Sequence, residues 1–266
     1  MRDGAHRNGE PDVTDLVKVH KSDGVLTLVM NRPEKKNALT DAMYGVLADA
    51  LLAAQTDAST RAILIRGEGE AFTAGNDLGE FAAMAAGSGL RNVTRFIEAL
   101  ATNVKPLVAA AHGHAVGVGT TMLLHCDYVL LADDIRLSTP FVSLALVPEA
   151  ASSLLLPARI GHARAFAMLA LGETVGAEDA LAWGLANRIT SREGLTGAAE
   201  AIAARLVTLP AGAVAATRRL MRDSETVLAR MNAETEEFSR RLTSPEAREA
   251  FTAFAERRAP DFSRFS

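Results

Sequence analysis

The sequence predicts an α/β protein that closes in a run of helices. Three observations lead there. Short aliphatic runs of strand length recur through the first part of the chain, stretches of helical period separate them, and after residue 190 the helical period continues alone. VLTLVM (25–30) and AILIRG (62–67), rich in β-branched residues and bounded by Asp, Gly, Asn and Arg-Pro, are the first two buried strands. Between them Thr40 or Asp41 can cap a helix, with Met43, Val46, Leu47, Ala50, Leu51 and Ala54 on one face. Val93, Phe96, Ile97 and Leu100 give a second amphipathic helix. A strand LVAAAHG (107–113), an apolar helix near 118–125, a strand YVLLA (128–132) and helices from about 151 and 162 follow. NRIT (187–190) is the last strand-like run. Beyond it Pro210 breaks the helical pattern, Pro245 marks a late turn, and Val214, Leu220, Met221, Leu228 and Phe238 supply apolar stripes. No Gly/Ser- or Pro-rich linker intervenes, so the expected organisation is a loose polar tail at 1–12, a core at 13–200 and a helical region at 201–266. Stripes without a core of their own imply self-association.

Composition narrows the function. The 266 residues carry 28 Lys plus Arg against 32 Asp plus Glu, a net charge of −4 that argues against nucleic acid as the main partner. Apolar residues at 48% and charged residues at 23% are ordinary for a globular chain, which excludes disorder throughout. Cys126 is the single cysteine, so no internal disulfide forms and a reducing, cytoplasmic setting is expected. The start of the chain is polar, and no stretch approaches the roughly 20 apolar residues that span a bilayer, so no membrane partner is expected. Aromatic residues are only 5%, which leaves a core of Leu, Val, Ile and Ala in which helices approach closely.

Three segments can carry chemistry. In GEGEAFTAGNDLGEF (67–81), Gly75, Asn76 and Asp77 follow a strand and open a helix whose first amides lack intrahelical partners; the segment is either an anion-accepting turn or a plain strand-to-helix turn capped by Asp77. In AAAHGHAVGVGTTMLLHCD (109–127), Gly113, Gly117 and Gly119 again separate a strand from an apolar helix. It does not match the dinucleotide fingerprint, but two such turns facing one cleft would make a two-donor oxyanion hole. In LVPEAASSLLLP (146–157), Glu149 is either a first-turn acid favoured by the helix dipole or a carboxylate desolvated by its apolar neighbours. His112, His114, His125 and Cys126 lack metal-ligand spacing and suit buried structural roles, so no metal is expected. Serine-hydrolase and P-loop motifs are missing from the sequence, and Ser152 and Ser153 read as helix-start residues. Arg257 and Arg258 are either a solvated face or a phosphate contact.

NRPEKKNAL (31–39), AFTAGNDL (71–78), VAAAHGHAVGVG (108–119) and FAERRAPDF (254–262) together resemble, in order and spacing, the crotonase or enoyl-CoA hydratase/isomerase superfamily. The resemblance covers nearly the whole chain after about residue 13. It implies a spiral of ββα units with a helical trimerisation region, an acyl-CoA thioester substrate, a homotrimer or dimer of trimers, and a place in fatty-acid β-oxidation. No tightly bound cofactor is implied, because coenzyme A arrives as part of the substrate. Carried over position by position, it puts the oxyanion amides at Asn76 and Val118. Contacts to CoA fall at Lys35, Lys36, Ala38, Ala74, Asp77 and Arg258. Phe81, Met84, Phe96 and Phe141 shape the acyl pocket, with 82–89 as a mobile wall.

A hydratase of the family carries one Glu in the glycine-turn helix and another after a later Pro; here those positions hold Thr121 and Phe141, neither able to activate water or deliver a proton at neutral pH. GNDL, AVGVG, STPF and the Pro148-Glu149 pair instead resemble the Δ3,Δ2-enoyl-CoA isomerase branch, which implies Glu149 as the lone acid/base. The other readings that this scaffold admits are a hydratase, another CoA-thioester lyase or hydrolase, and a non-catalytic acyl-CoA-binding trimer.

Overall fold

The computed structural model describes residues 13–77, 79–80 and 91–265, so the expected tail at 1–12, together with Phe81, Met84 and the 82–89 wall, lies outside the described residues. In chain order the elements are β1 (Val17–Ser22), β2 (Val25–Met30), α1 (Asp41–Thr56), β3 (Ala62–Gly67), α2 (Arg91–Thr102), β4 (Leu107–Ala111), β5 (His114–Val116) and α3 (Val118–Thr121). They continue as β6 (Tyr128–Ala132), β7 (Arg136–Ser138), α4 (Ser152–Ile160), α5 (His162–Leu169), β8 (Val175–Gly176), α6 (Ala177–Ala182) and β9 (Arg188–Thr190). Four helices close the chain: α7 (Arg192–Thr208), α8 (Ala211–Met221), α9 (Ser224–Leu242) and α10 (Pro245–Ala255).

The larger sheet has the order β1-β2-β3-β4-β6-β9, antiparallel at the β1–β2 hairpin and parallel beyond it. Register aligns Leu28 with Ile65, Ile65 with Ala109 and Ala109 with Val129. The central strands read as unbroken aliphatic runs because both faces are covered. Ile63, Ile65, Ala109, Val129 and Leu131 face the main core, while the alternate residues Leu64, Val108, Ala110 and Leu130 face Leu195, Ala199 and Ala203 of α7. Each fully buried Leu or Ile contributes on the order of 2 kcal/mol. Small residues spaced four apart let α7 lie close on the sheet.

A second layer stands over the first. Strands β5, β7 and β8 form a small sheet, and the isolated parallel bridges Thr73–Ala115 and Leu39–Asn76 extend the same layer towards α1. A repeating unit results: a long strand in the main sheet, a short pairing in the second layer, then a helix. Thr40 caps α1 by accepting from the Met43 amide at 3.2 Å, and the apolar stripe expected there is buried at Met43, Leu47, Leu51 and Ala54.

Several expectations change. The run expected as one strand over 107–113 ends at Ala111; at Gly113, with φ +60°, the chain leaves the main sheet for β5. The helix expected near 118–125 is one α-turn followed by a 3-10 turn over Met122–His125. Strand β1 carried no apolar signal because it is an edge strand exposed from Lys18 to Ser22, and β5, β7 and β8 are too short to show a period. The boundary expected at 200/201 lies within α7, whose Leu195, Ala199 and Ala203 pack on the sheet. No single helix among the described residues is long and apolar enough to cross a membrane.

The kink at Gly113 leaves no room for a side chain, since a Cβ there would lie 2.0 Å from the Glu70 carbonyl oxygen. Gly113→Ala is expected to lower folding free energy by about 3 kcal/mol or more, read by urea denaturation.

Candidate active site

The two glycine turns meet backbone to backbone. Gly75, at φ +86°, sits where a Cβ would lie 2.8 Å from the Val116 carbonyl oxygen, so the turn at 73–77 abuts the end of β5. The parallel pairing of Leu39 with this turn runs from the Leu39 amide to Gly75 O at 2.8 Å and from the Asp77 amide to Leu39 O at 2.9 Å. The intervening Asn76 amide therefore points away from the pairing. Among the described residues neither it nor the amide of Val118, first residue of α3, donates to another group, whereas Gly117 donates to Ser138 O at 2.9 Å. The Thr120 hydroxyl braces the second turn by donating to Ala115 O at 2.6 Å and accepting from the Ser138 amide at 3.2 Å.

Residues 31–39 are stitched to the first turn by Asn37, which the sequence reading missed. Its buried amide donates to Glu68 O at 2.8 Å and Ala71 O at 2.7 Å, and its oxygen accepts from the Arg32 amide at 2.7 Å. Arg32 donates to Ala38 O at 3.1 Å and to the Asp77 carboxylate at 2.8 Å, and the Ala74 amide donates to Lys36 O at 2.9 Å. Lys35 and Lys36 are exposed beside them. The structure thus gathers five of the six expected CoA contacts on one edge of the turn. Arg258 is placed elsewhere, engaged by Glu249 and Glu256 at 2.6 Å each. Asp77 also accepts from the Glu80 amide at 3.3 Å, as the capping reading expected. Although partial burial opposes it, the Arg32 guanidinium holds the Asp77 carboxyl below the usual carboxylate range.

Glu149 is only 8% exposed and accepts from the hydroxyl of Thr121, the last residue of α3, at 3.1 Å. Burial raises its pKa from 4.5 to about 7; the Thr121 hydrogen bond works against that rise and the charge of Glu234 adds to it. Of the two Glu149 readings, the desolvated carboxylate is therefore the one the structure shows. Tyr44 is a further polar group that the sequence reading missed. It is fully buried on α1, donates to Asn76 Oδ1 at 2.5 Å, and has its hydroxyl pKa raised by burial and then by the Glu149 charge. Phe96 packs on the Tyr44 ring at 5.5 Å and so stands behind it. Phe141 is buried and accepts through its carbonyl from the Leu144 and Leu146 amides.

The two residues after Glu149 are unusual: Ala150 at φ +57° and Ala151 at φ +56° are both left-handed, at roughly 1–2 kcal/mol each. The fully buried His125 offers one ring nitrogen to Arg222, which only donates, so the other, Nε2, carries the hydrogen that Ala150 O accepts at 2.7 Å. Burial and then Arg222 hold the His125 pKa down to about 3. His112 meets Gly69 O at 3.0 Å, so His112 and His125 are buried as expected, and Cys126 with them, whereas His114 is exposed on β5.

A sequence profile described as Enoyl-CoA hydratase/isomerase matches residues 20–264. The chain is 31% identical to the 1,2-epoxyphenylacetyl-CoA isomerase of Escherichia coli (strain K12), over 94% of this chain and 98% of that one. It is 34% identical to 4-chlorobenzoyl coenzyme A dehalogenase-1 of Arthrobacter sp over 73% of each chain. Among solved structures, an enoyl-CoA hydratase/isomerase from Pseudoalteromonas atlantica T6c superposes with a TM-score of 0.89 at 41% identity, covering 93% of this chain and 100% of that one.

Two outcomes follow from this geometry. Gly75→Ala would force the two turns apart and is expected to lower turnover about 100-fold in a folded protein, shown by circular dichroism beside kinetics. Glu149 binds a proton in the folded state that it lacks unfolded between pH 4.5 and about 7, so its contribution to stability is present below 4.5 and lost as pH rises through 7. Glu149→Gln removes that loss and is expected to be more stable than wild type by up to about 3 kcal/mol at about pH 8, with the gap closing by about pH 5. Urea titrations at the two pH values measure it. His125 titrates alike in both proteins and drops out of the difference.

Proposed function

The chain belongs to the enoyl-CoA hydratase/isomerase family, the crotonase superfamily, and on that premise we propose that it moves the C3=C4 double bond of an enoyl-CoA thioester to C2=C3, with Glu149 as the sole acid/base. The observation that carries this reading is the pairing of Glu149 with Thr121. The side chain facing the carboxylate from the glycine-turn helix is a hydroxyl, and the resemblance to the family puts Phe141 at the other hydratase carboxylate position. Adding water across a double bond calls for activation of the water and delivery of a proton to C2. Shifting a double bond needs one base that takes a proton and returns it.

The steps balance within the site. The Glu149 carboxylate removes a proton from C2, where the thioester carbonyl acidifies it, and the bond electrons pass into a dienolate spread over C1 to C4. The Asn76 and Val118 amides donate to the thioester oxygen as charge gathers there. The protonated Glu149 then delivers the proton to C4, leaving the double bond at C2=C3. No water takes part, so burial costs the mechanism nothing, and a carboxyl with a pKa near 7 is poised both to accept and to release the proton. We assign the CoA moiety to the edge formed by Lys35, Lys36, Ala38, Ala74 and Asp77, where exposed lysines offer the positive charge that a net charge of −4 does not. Arg258, the sixth CoA contact implied by the resemblance, is held by Glu249 and Glu256 and is not part of this edge. The E. coli relative named an isomerase and the Arthrobacter relative named a dehalogenase both carry CoA in their names, which supports a thioester substrate.

We also propose self-association through the tail, as a trimer or a dimer of trimers. Leu220 and Met221 are 87% and 82% exposed on α8, beside a cavity of about 760 Å³ lined in part by Leu209, Val214 and Met221.

With 3-enoyl-CoA, wild type is expected to form the conjugated 2-enoyl product faster than it hydrates 2-enoyl-CoA, with kcat rising through about pH 7 as Glu149 ionises. Glu149→Gln is expected to lose about 100-fold or more. Spectroscopic assay of both substrates reads this. Faster hydration than isomerisation, or thioester binding without turnover, would set the proposal aside.

A further inference from the structure

The segment that carries Glu149 is held in shape from outside its own neighbourhood. Helix α4 starts at Ser152 with the left-handed Ala151 as its N-cap, and no side chain of that segment caps it. The cap comes from Glu234 on α9. One oxygen accepts from the Ala151 amide at 2.6 Å, and the other accepts from the Ser153 amide at 2.9 Å and the Ser153 hydroxyl at 2.5 Å. Glu234 is only 6% exposed and sits within the apolar face Val227, Met231, Phe238 of α9, where an unpaired carboxylate would be costly. A second tether from the tail reaches the neighbouring residue, because Arg222 at the end of α8 holds His125 and His125 donates to Ala150 O. The two left-handed alanines after Glu149 are thus fixed on one side by Glu234 and on the other by the Arg222–His125 pair.

We infer that Glu234 is a positioning residue for the reaction: by capping α4 from the C-terminal helix it fixes the Ala150–Ala151 turn, and through that turn the direction in which the Glu149 carboxylate points. The inference rests on Glu149 being the base. An error of about 1 Å in the direction of a base costs on the order of 100-fold in rate, so a cap placed two residues away governs turnover although it touches no substrate. Glu234 also acts through its charge. The groups that face Glu149 are the Thr121 hydroxyl from α3, the Tyr44 hydroxyl from α1, neutral His125 behind Ala150, and Glu234 from α9, with Arg230 acting on Glu234 along its own helix. Of these Glu234 is the one that brings negative charge, and it favours the protonated form of Glu149.

The test measures kcat, KM and the pH profile from about pH 5 to 9, with a 3-enoyl-CoA substrate, for wild type, Glu149→Gln, Glu234→Gln and the double variant. Glu234→Gln keeps the reach of the side chain, removes its charge and sets an amide against donors. It is expected to lower kcat about 10- to 100-fold with KM within about threefold, to move the acid limb to lower pH, and to add no loss to Glu149→Gln. A lowered melting temperature with kcat and acid limb unchanged, while Glu149→Gln is inactive, would show a merely structural cap and overturn the inference, leaving the base in place. Full activity of Glu149→Gln would remove the base reading and the inference with it. If Glu234→Gln does not fold, Ser153→Ala takes only the hydroxyl from the same carboxylate, and a kcat fall of about two- to fivefold is expected. An unchanged kcat there, beside an inactive Glu149→Gln, overturns the inference equally.

Discussion

A carboxylate buried without a cation beside it is the constraint to which the rest of the site answers. Among the described residues, Glu149 has a single neutral donor, the Thr121 hydroxyl, and a like charge, Glu234, near enough to raise its proton affinity further. A salt bridge would have kept it ionised and chemically idle. Apolar packing instead brings its pKa up to about 7, so that both protonation states are populated near neutral pH, at a cost in stability that the two-layer core has to cover. The pair of left-handed alanines adds to that cost, and both terms fall on the same three residues.

The fold explains how such a segment is reached. The parallel strands of the main sheet end at the same side, and after β2, β3, β4 and β6 the chain makes one short pairing in the second layer before the next helix or helical turn, whereas β9 runs directly into α7. Backbone amides left over at these exits, at Asn76 and Val118, gather where the turns abut, while α3 turns Thr121 towards the Glu149 loop. Backbone donors need no particular side chain, which is why the position after Gly75 can carry Asn and spend its side chain on Tyr44.

Legibility in the sequence followed burial. Strands covered on both faces, such as 62–67 and 128–132, showed as aliphatic runs, and Thr40 declared the start of α1. Strand β1 did not show because an exposed edge has no apolar period, and β5 and β7 did not because three residues hold too little pattern. Within the site, Gly75, Gly117 and Glu149 stood out through turn chemistry and an acid placed before an apolar helix. Tyr44 was hidden as one more bulky residue on a core face, and Glu234 as one acid among several in NAETEEF, although its place on the same face as Met231 and Phe238 was the available signal. Long-range partners of this kind depend on a fold that local pattern does not contain.

The cap on α4 also has an order in time. Ala151 and Glu234 are separated by 83 residues, so on a ribosome the segment bearing Glu149 emerges well before the side chain that fixes it. Until α9 has been made and has docked, the Ala151 and Ser153 amides behind Glu149 lack the carboxylate that accepts from them. If Glu234 aims Glu149 as inferred, a chain without α9 (Ser224–Leu242) would retain Glu149 and lack the carboxylate that caps the turn behind it.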